Sequence, residues 1–322
     1  MSFVSFFSSA DVTLATKLLE VVYMIMGLLA IYTGVKNVCD KENSSRIPTG
    51  IFWIVLGIVI GFGRFINGME NGAVITGVLI FIMVIPAILK KVKPGKMDKP
   101  TAEQSERLLK KNGMKVFIPA LSIGLSAIVF ATFTELGAIV GVAFGVIIGV
   151  IFLMMMSKEN TPVVFLKDTE RLLSTVGPLC ILPMLLAALG SVFTKAGVGE
   201  VIASYVEKII PSGNVTVGII VYALGMVLFT MIMGNAYAAI TVMTVGIGGP
   251  FVLAYGADPT VIGMLALTTG FCGTLLTPMA ANFNIVPVAM LDMKKRFGVI
   301  KNQAVIAGFM IVFNIVYMLL FS

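Results

Sequence analysis

Apolar runs of bilayer length, separated by short polar intervals, organise this chain from end to end. Runs near Val12–Val35, Pro48–Phe62, Gly72–Leu89, Val116–Phe133, Leu136–Met156 and Val176–Phe193 are each about long enough, at ~1.5 Å per helical residue, to cross the hydrocarbon layer. The pattern then changes. Val215–Met233 and Ala236–Tyr255 are joined at Gly234-Asn235 with no charged loop between them, a stretch from about Thr260 to Leu291 is apolar but interrupted, and Ala304–Phe321 is again continuous.

The interruption is the most informative stretch. From Gly270 to Pro287 it holds two glycines, two prolines, Thr277, Asn282 and Asn284, and no charge. Pro278 and Pro287 each remove a backbone donor and crowd the carbonyl four residues back, so a continuous helix is not expected. In a medium without water the freed groups are tolerated only where protein or a wet cavity satisfies them. The tip Met233-Gly234-Asn235-Ala236 is small and uncharged, which suits a protein-buried turn better than a solvated loop. The expected fold is therefore an all-α polytopic membrane protein, with about eight transmembrane helices plus one re-entrant helical hairpin (215–257) and one broken helix (260–291). Residues 1–115 would supply three N-terminal helices and a basic loop, and 116–322 the unit that carries the hairpin and the broken helix.

Composition agrees with this class: 58% of the 322 residues are hydrophobic and 12% charged, and the mean hydropathy is +1.03, well outside the range of soluble domains. The largest polar interval, roughly Lys90 to Lys115, reads as a loop. Net charge +7 does not signal nucleic acid, because the basic residues lie in loops without an aromatic platform. They signal orientation instead. With the N-terminus outside, the inner segments are 36–47, 90–115, 157–175 and 292–302, and these hold 19 of the 23 Lys and Arg, as the positive-inside rule requires. Both termini are then expected outside. The residues before Asp11 include no Lys or Arg and do not resemble a cleaved signal peptide.

Two polar-flanked segments show helical periodicity. In 197–210, apolar positions 201, 202, 205, 206, 209 and 210 oppose Glu200, Ser204, Glu207 and Lys208, which describes a short helix lying in the interface. Asn160–Thr175 is a similar connector on the inner side.

Chemistry is sparse. There is no His, and Cys39, Cys180 and Cys272 lack ligand spacing, so no metal or cofactor is expected. No Gly-rich phosphate loop followed by Lys-Ser/Thr supports a primary pump, and no nucleophile or acid/base group at depth supports an intramembrane enzyme. What remains is the pair of discontinuities. Each offers the N-terminal end of a half-helix to an anion and unwound carbonyls to a cation. If they meet, Gly234, Asn235, Thr277, Pro278, Asn282 and Asn284 form a site for a small carboxylate with neutral polar groups. The same Asn and Thr residues could instead cap or join helices. Glu135, in the turn Thr134-Glu135-Leu136, is either a solvated turn residue or a carboxylate coupling H⁺ or Na⁺. Lys17 and Glu20 read as an interfacial pair, and Arg64 and Glu70 as solvated. Glycines 137, 141, 145 and 149 recur at four-residue intervals, so Leu136–Met156 should pack closely on a neighbouring helix.

The run from Gly225 through Pro287, with Gly234-Asn235-Ala236-Tyr237-Ala238-Ala239, Gly256-Ala257-Asp258-Pro259 and Gly273-Thr274-Leu275-Leu276-Thr277-Pro278, resembles the C-terminal half of the ion-transporter superfamily. That superfamily includes the large membrane subunit of tripartite dicarboxylate permeases and the divalent-anion symporters. More narrowly, Leu276 through Pro287 and the following Lys294–Gln303 resemble a bacterial family, formerly a domain of unknown function, identified as one subunit of a two-component 5-oxoproline permease. The resemblance implies an elevator-type secondary transporter whose site lies between two hairpins and two broken helices. Residues 1–214 show no second such pair, so the resemblance further implies a second, different membrane subunit supplying the counterpart. A structural or regulatory subunit without its own substrate path is the alternative.

Overall fold

A computed structural model describes residues 3–95, 101–208, 213–291 and 293–322, and among these there is no β-strand. The helices, in order, are α1 (Phe3–Ser8), α2 (Leu14–Cys39), α3 (Arg46–Asn67), α4 (Gly72–Ile88), α5 (Ala102–Asn112), α6 (Ile118–Phe133), α7 (Gly137–Met156), α8 (Pro162–Val176), α9 (Leu182–Lys195), α10 (Val198–Val206), α11 (Val215–Met233), α12 (Ala236–Met243), α13 (Gly249–Phe251), α14 (Pro259–Leu275), α15 (Ala281–Asn284), α16 (Val286–Met290) and α17 (Gly298–Phe321). Among the described residues, eight helical stretches are long and apolar enough to cross a membrane. The protein is a polytopic membrane protein by this architecture. It divides into two compact units, Met1–Gly177 and Pro178–Ser322.

In the first unit, α2 and α3 pack with almost no side chain between their backbones. A methyl on Gly27 would lie 2.5 Å from the Gly57 carbonyl oxygen and 2.7 Å from the Gly61 Cα. Removing side chains at these crossings lets dispersion contacts replace the hydrophobic drive that lipid does not supply. This pairing also sets the charges. Glu20, 2% exposed, accepts from Arg64 Nε at 2.6 Å, and the guanidinium lies 5.3 Å from the Phe6 ring centroid. The expected Lys17–Glu20 pair does not form: Lys17 Nζ donates to the Ser9 carbonyl at 2.8 Å, and Arg64 of α3 takes the Glu20 carboxylate. Elsewhere in the unit, Asn37 donates to the Thr33 carbonyl and the Ser174 hydroxyl. Asn43 in turn donates to Asn37 Oδ1 and the Lys93 carbonyl, tying α2, α8 and segment 91–95 together.

The glycine face of α7 finds its partner in α6. A methyl on Gly145 would lie 2.6 Å from the Ile123 Cα, and one on Gly141 2.7 Å from the Ser126 carbonyl oxygen, while Gly149 faces Pro119. Gly137 takes no part; it occupies the left-handed region (φ +81°) at the preceding turn with open space beside it. The basic interval is more ordered than a loop. Thr101 and Gln104 form a capping box at the start of α5, Glu106 and Lys110 pair one turn apart, and Arg107 bonds Glu159. These local terms start a helix where hydropathy alone indicates none. Residues 96–100 of that interval lie outside the described residues. The connector expected at 160–175 is α8, capped by Thr161.

The second unit is organised around α11. Its residues Ile219, Tyr222, Ala223 and Met226 form a core with Ala239, Met243, Ile247, Ile262, Ala266 and Met318. After α12 the chain continues through a π-helical turn, Thr244–Gly248, where the Tyr222 and Thr244 hydroxyls bond at 2.7 Å. Asp258 caps α14, and the amides of Val261 and Thr260 hold its carboxyl below the usual range. The helix expected at 197–210 is α10; positions 209 and 210 lie outside the described residues. Ile202 and Val206 pack against the core, whereas Val201 and Tyr205 are exposed.

Candidate functional site

Both predicted discontinuities are present, and they touch. α11 ends at Gly234, whose φ of +70° and amide bond to the Thr230 carbonyl close the helix, a backbone conformation that favours glycine. Asn235 then starts α12, its Oδ1 accepting from the amides of Tyr237 and Ala238 at 2.9 and 3.4 Å. The chain reverses in two residues. A methyl on Gly234 would lie 2.6 Å from the Met279 carbonyl, so the tip rests on the backbone of the second discontinuity.

That second discontinuity spans residues 276–280, between α14 and α15. Pro278 has no N–H to offer the Thr274 carbonyl one turn back. Asn284 supplies the missing donor. Its Nδ2 donates to the carbonyls of Thr274 and Thr277 at 2.7 and 2.6 Å, and its Oδ1 accepts from Gln303 Nε2 at 3.2 Å. Asn284 is completely buried, and these bonds occupy both amide hydrogens and the oxygen, so it braces the break from within the protein. Thr277 performs the same kind of work across the tip: its hydroxyl donates to the Met231 carbonyl near the end of α11 at 2.8 Å and accepts from the Met279 amide at 3.2 Å. Behind both, α14 lies directly on α11, where a methyl on Gly273 would come 2.7 Å from the Val227 carbonyl oxygen. The Thr230 hydroxyl, fully buried, has no hydrogen-bond partner among the described residues.

Of the six residues expected at this site, Gly234, Asn235, Thr277 and Asn284 build the tip-and-break junction, while Pro278 and Asn282 are exposed beside it. Glu135 belongs to the first unit and is exposed on the turn between α6 and α7.

Sequence reading missed the other wall. A groove of about 430 Å³ opens beside Asn235 and is lined by Gly190, Ser191, Thr194, Lys195, Asn235, Tyr237, Ala238 and Thr241. It forms because α9 packs tightly on α12: a methyl on Gly190 would meet the Ala238 Cβ at 2.5 Å. The result places Lys195, Asn235 and the start of α12 around one space. This combination favours an anion through a full charge, a neutral donor and the positive end of a helix. Lys195 closes an apolar run and reads by itself as an interfacial cation; the α9–α12 contact brings it into the lining of the groove beside the hairpin.

The chain matches, over residues 20–322, the family described as a protein of unknown function (DUF979), and it belongs to that family. No curated protein and no solved structure matches it.

Proposed function

We propose that this chain is the membrane subunit of a secondary transporter for a small organic carboxylate, with 5-oxoproline as the first substrate to test. The observation supporting the reading is the contact between hairpin tip and helix break, beside a groove that holds one lysine, hydroxyls and a carboxamide. Polar groups so placed at a membrane-embedded fold are costly unless water, protein or a solute meets them. Lys195 would pair with the carboxylate, Asn235 would donate to it, and Asn284 and Thr277 would hold the surrounding backbone in place. No covalent step is involved, and an H⁺ or Na⁺ gradient across a bacterial inner membrane would drive accumulation, with both termini outside. Glu135 is the candidate for coupling to that ion. A second, different membrane subunit would complete the site.

The test is uptake of labelled 5-oxoproline into proteoliposomes holding the chain with its partner subunit, under imposed H⁺ or Na⁺ gradients. Accumulation that Lys195→Ala weakens supports the proposal. Absence of uptake for every small carboxylate tried, under either gradient, overturns it, and a partner that transports alone reassigns this chain to a structural role.

A further inference from the structure

The start of α17 carries a second polar concavity that the transport reading does not use. A groove of about 450 Å³ is lined by Met293, Lys294, Lys295, Gly298, Lys301 and Asn302. Segment 292–302 holds four basic residues and one acid, Asp292, which itself lies outside the described residues. Among the described residues none of the three lysines has an ion-pair partner. Mutual repulsion of three ammonium groups around one space is unfavourable unless an anion joins them.

The helix that follows identifies what kind of anion. Val305, Phe309 and Val312 succeed Lys301 at helical spacing on the same side of α17, and they are 80%, 70% and 62% exposed. A cationic cradle therefore passes, within one turn, into an outward-facing apolar stripe. A soluble phosphate matches only the first half of that surface. An amphiphile matches both.

We propose that the groove at residues 293–302 binds the headgroup phosphate of an anionic phospholipid, with its acyl chains along Val305, Phe309 and Val312. Lys294, Lys295 and Lys301 neutralise the phosphate, Asn302 donates to it, and the positive end of the 24-residue α17, which begins at Gly298 in the groove lining, favours the same charge. Apolar Leu291 and Phe297, 71% and 53% exposed, lie next to the groove in sequence and extend its apolar border. The site also abuts the break: Gln303, the residue after Asn302, donates to Asn284.

Native mass spectrometry of the full-length protein purified in detergent tests this, with phosphatidylglycerol, phosphatidylcholine and inorganic phosphate as probes. Phosphatidylglycerol should be retained in preference to phosphatidylcholine, and inorganic phosphate at equal concentration should not displace it. Lys294→Glu/Lys295→Glu/Lys301→Glu should lower retention by about a hundredfold or more, since each basic residue at an anionic surface contributes on the order of 1 kcal/mol. Val305→Ser/Phe309→Ser should also lower it without altering charge. Lys110→Ala/Lys111→Ala, which removes two charges from α5, should leave it unchanged. Equal retention of the two lipids, displacement by inorganic phosphate, or a loss in the α5 variant as large as in the α17 variant would each overturn the proposal. Should the triple variant not fold, Lys301→Ala alone is expected to reduce retention roughly fivefold, and wild-type retention in that variant overturns it equally.

Discussion

The carboxamide of Asn284 donates to the carbonyl of Thr274 at 2.7 Å, filling the position that Pro278, four residues after Thr274, cannot. A side chain ten residues downstream thus completes a helix end that the backbone leaves open. Asn284→Ala removes this donor and the one to Thr277, leaving two buried acceptors at roughly 1–3 kcal/mol each. Thermal unfolding in detergent should show a loss of several kcal/mol. An unchanged midpoint would mean that water already serves these carbonyls.

Thr230 gives the converse case. Its hydroxyl is buried without a partner among the described residues, so Thr230→Val exchanges an unmet polar group for a methyl of similar shape. Stability should hold or rise by about 1 kcal/mol. Uptake in proteoliposomes should be unaffected; a specific loss of uptake at unchanged stability would show that the hydroxyl meets a solute.

At the groove, charge and capping can be separated. Asp caps helices as well as Asn does, so Asn235→Asp should preserve α12 and the unfolding midpoint while placing a negative charge against an incoming carboxylate. Uptake should fall at least about tenfold. Lys195→Ala should raise the half-saturating concentration, and Lys195→Arg should restore most of it. Equal uptake in all three variants would remove the groove from the transport path.

The Glu20–Arg64 pair is asymmetric, because the carboxylate side chain is 3% exposed and the guanidinium side chain 48%. Arg64→Ala strands a buried charge and should cost roughly 3 kcal/mol. Glu20→Gln leaves a cation that still reaches solvent and the Phe6 ring, and should cost less. The double variant Glu20→Gln/Arg64→Ala should recover part of the loss, which a double-mutant cycle on thermal stability measures.

Gly27→Ala should lower stability by about 1–3 kcal/mol, since the added methyl meets the α3 backbone. Gly63→Ala on the same pair of helices has no atom within 4 Å and should be neutral or slightly stabilising. The two midpoints measured side by side distinguish backbone contact from helix propensity.

Local chemistry made the main discontinuities legible. Pro278 and Pro287 announce a broken helix because proline cannot donate, and Gly234-Asn235 announces a turn because no other pair closes one helix and caps the next so economically. The glycine spacing in α7 likewise declares a close contact, though not that α6 makes it. Long-range pairings were not legible. Glu20 finds Arg64 rather than Lys17, 44 positions away rather than three, and Asn284 turns inward to two carbonyls rather than outward to a solute. Lys195 joins the hairpin only through the packing of Gly190 on Ala238. Periodicity reports what a segment would bury; it does not report which segment answers it. Hydropathy also hid α5, whose evidence lies in Thr101 and Gln104 rather than in apolar spacing.

A proline interruption is ordinarily the place where a rod flexes. Here Asn284 and Thr277 lash the loose ends together and Gly234 leaves no slack beneath them, so the interruption is stiffer than its primary structure suggests. Bending has to be accommodated elsewhere in the fold, and amide exchange at residues 281–285 should be slow compared with that of the exposed turn residues Thr134 and Glu135.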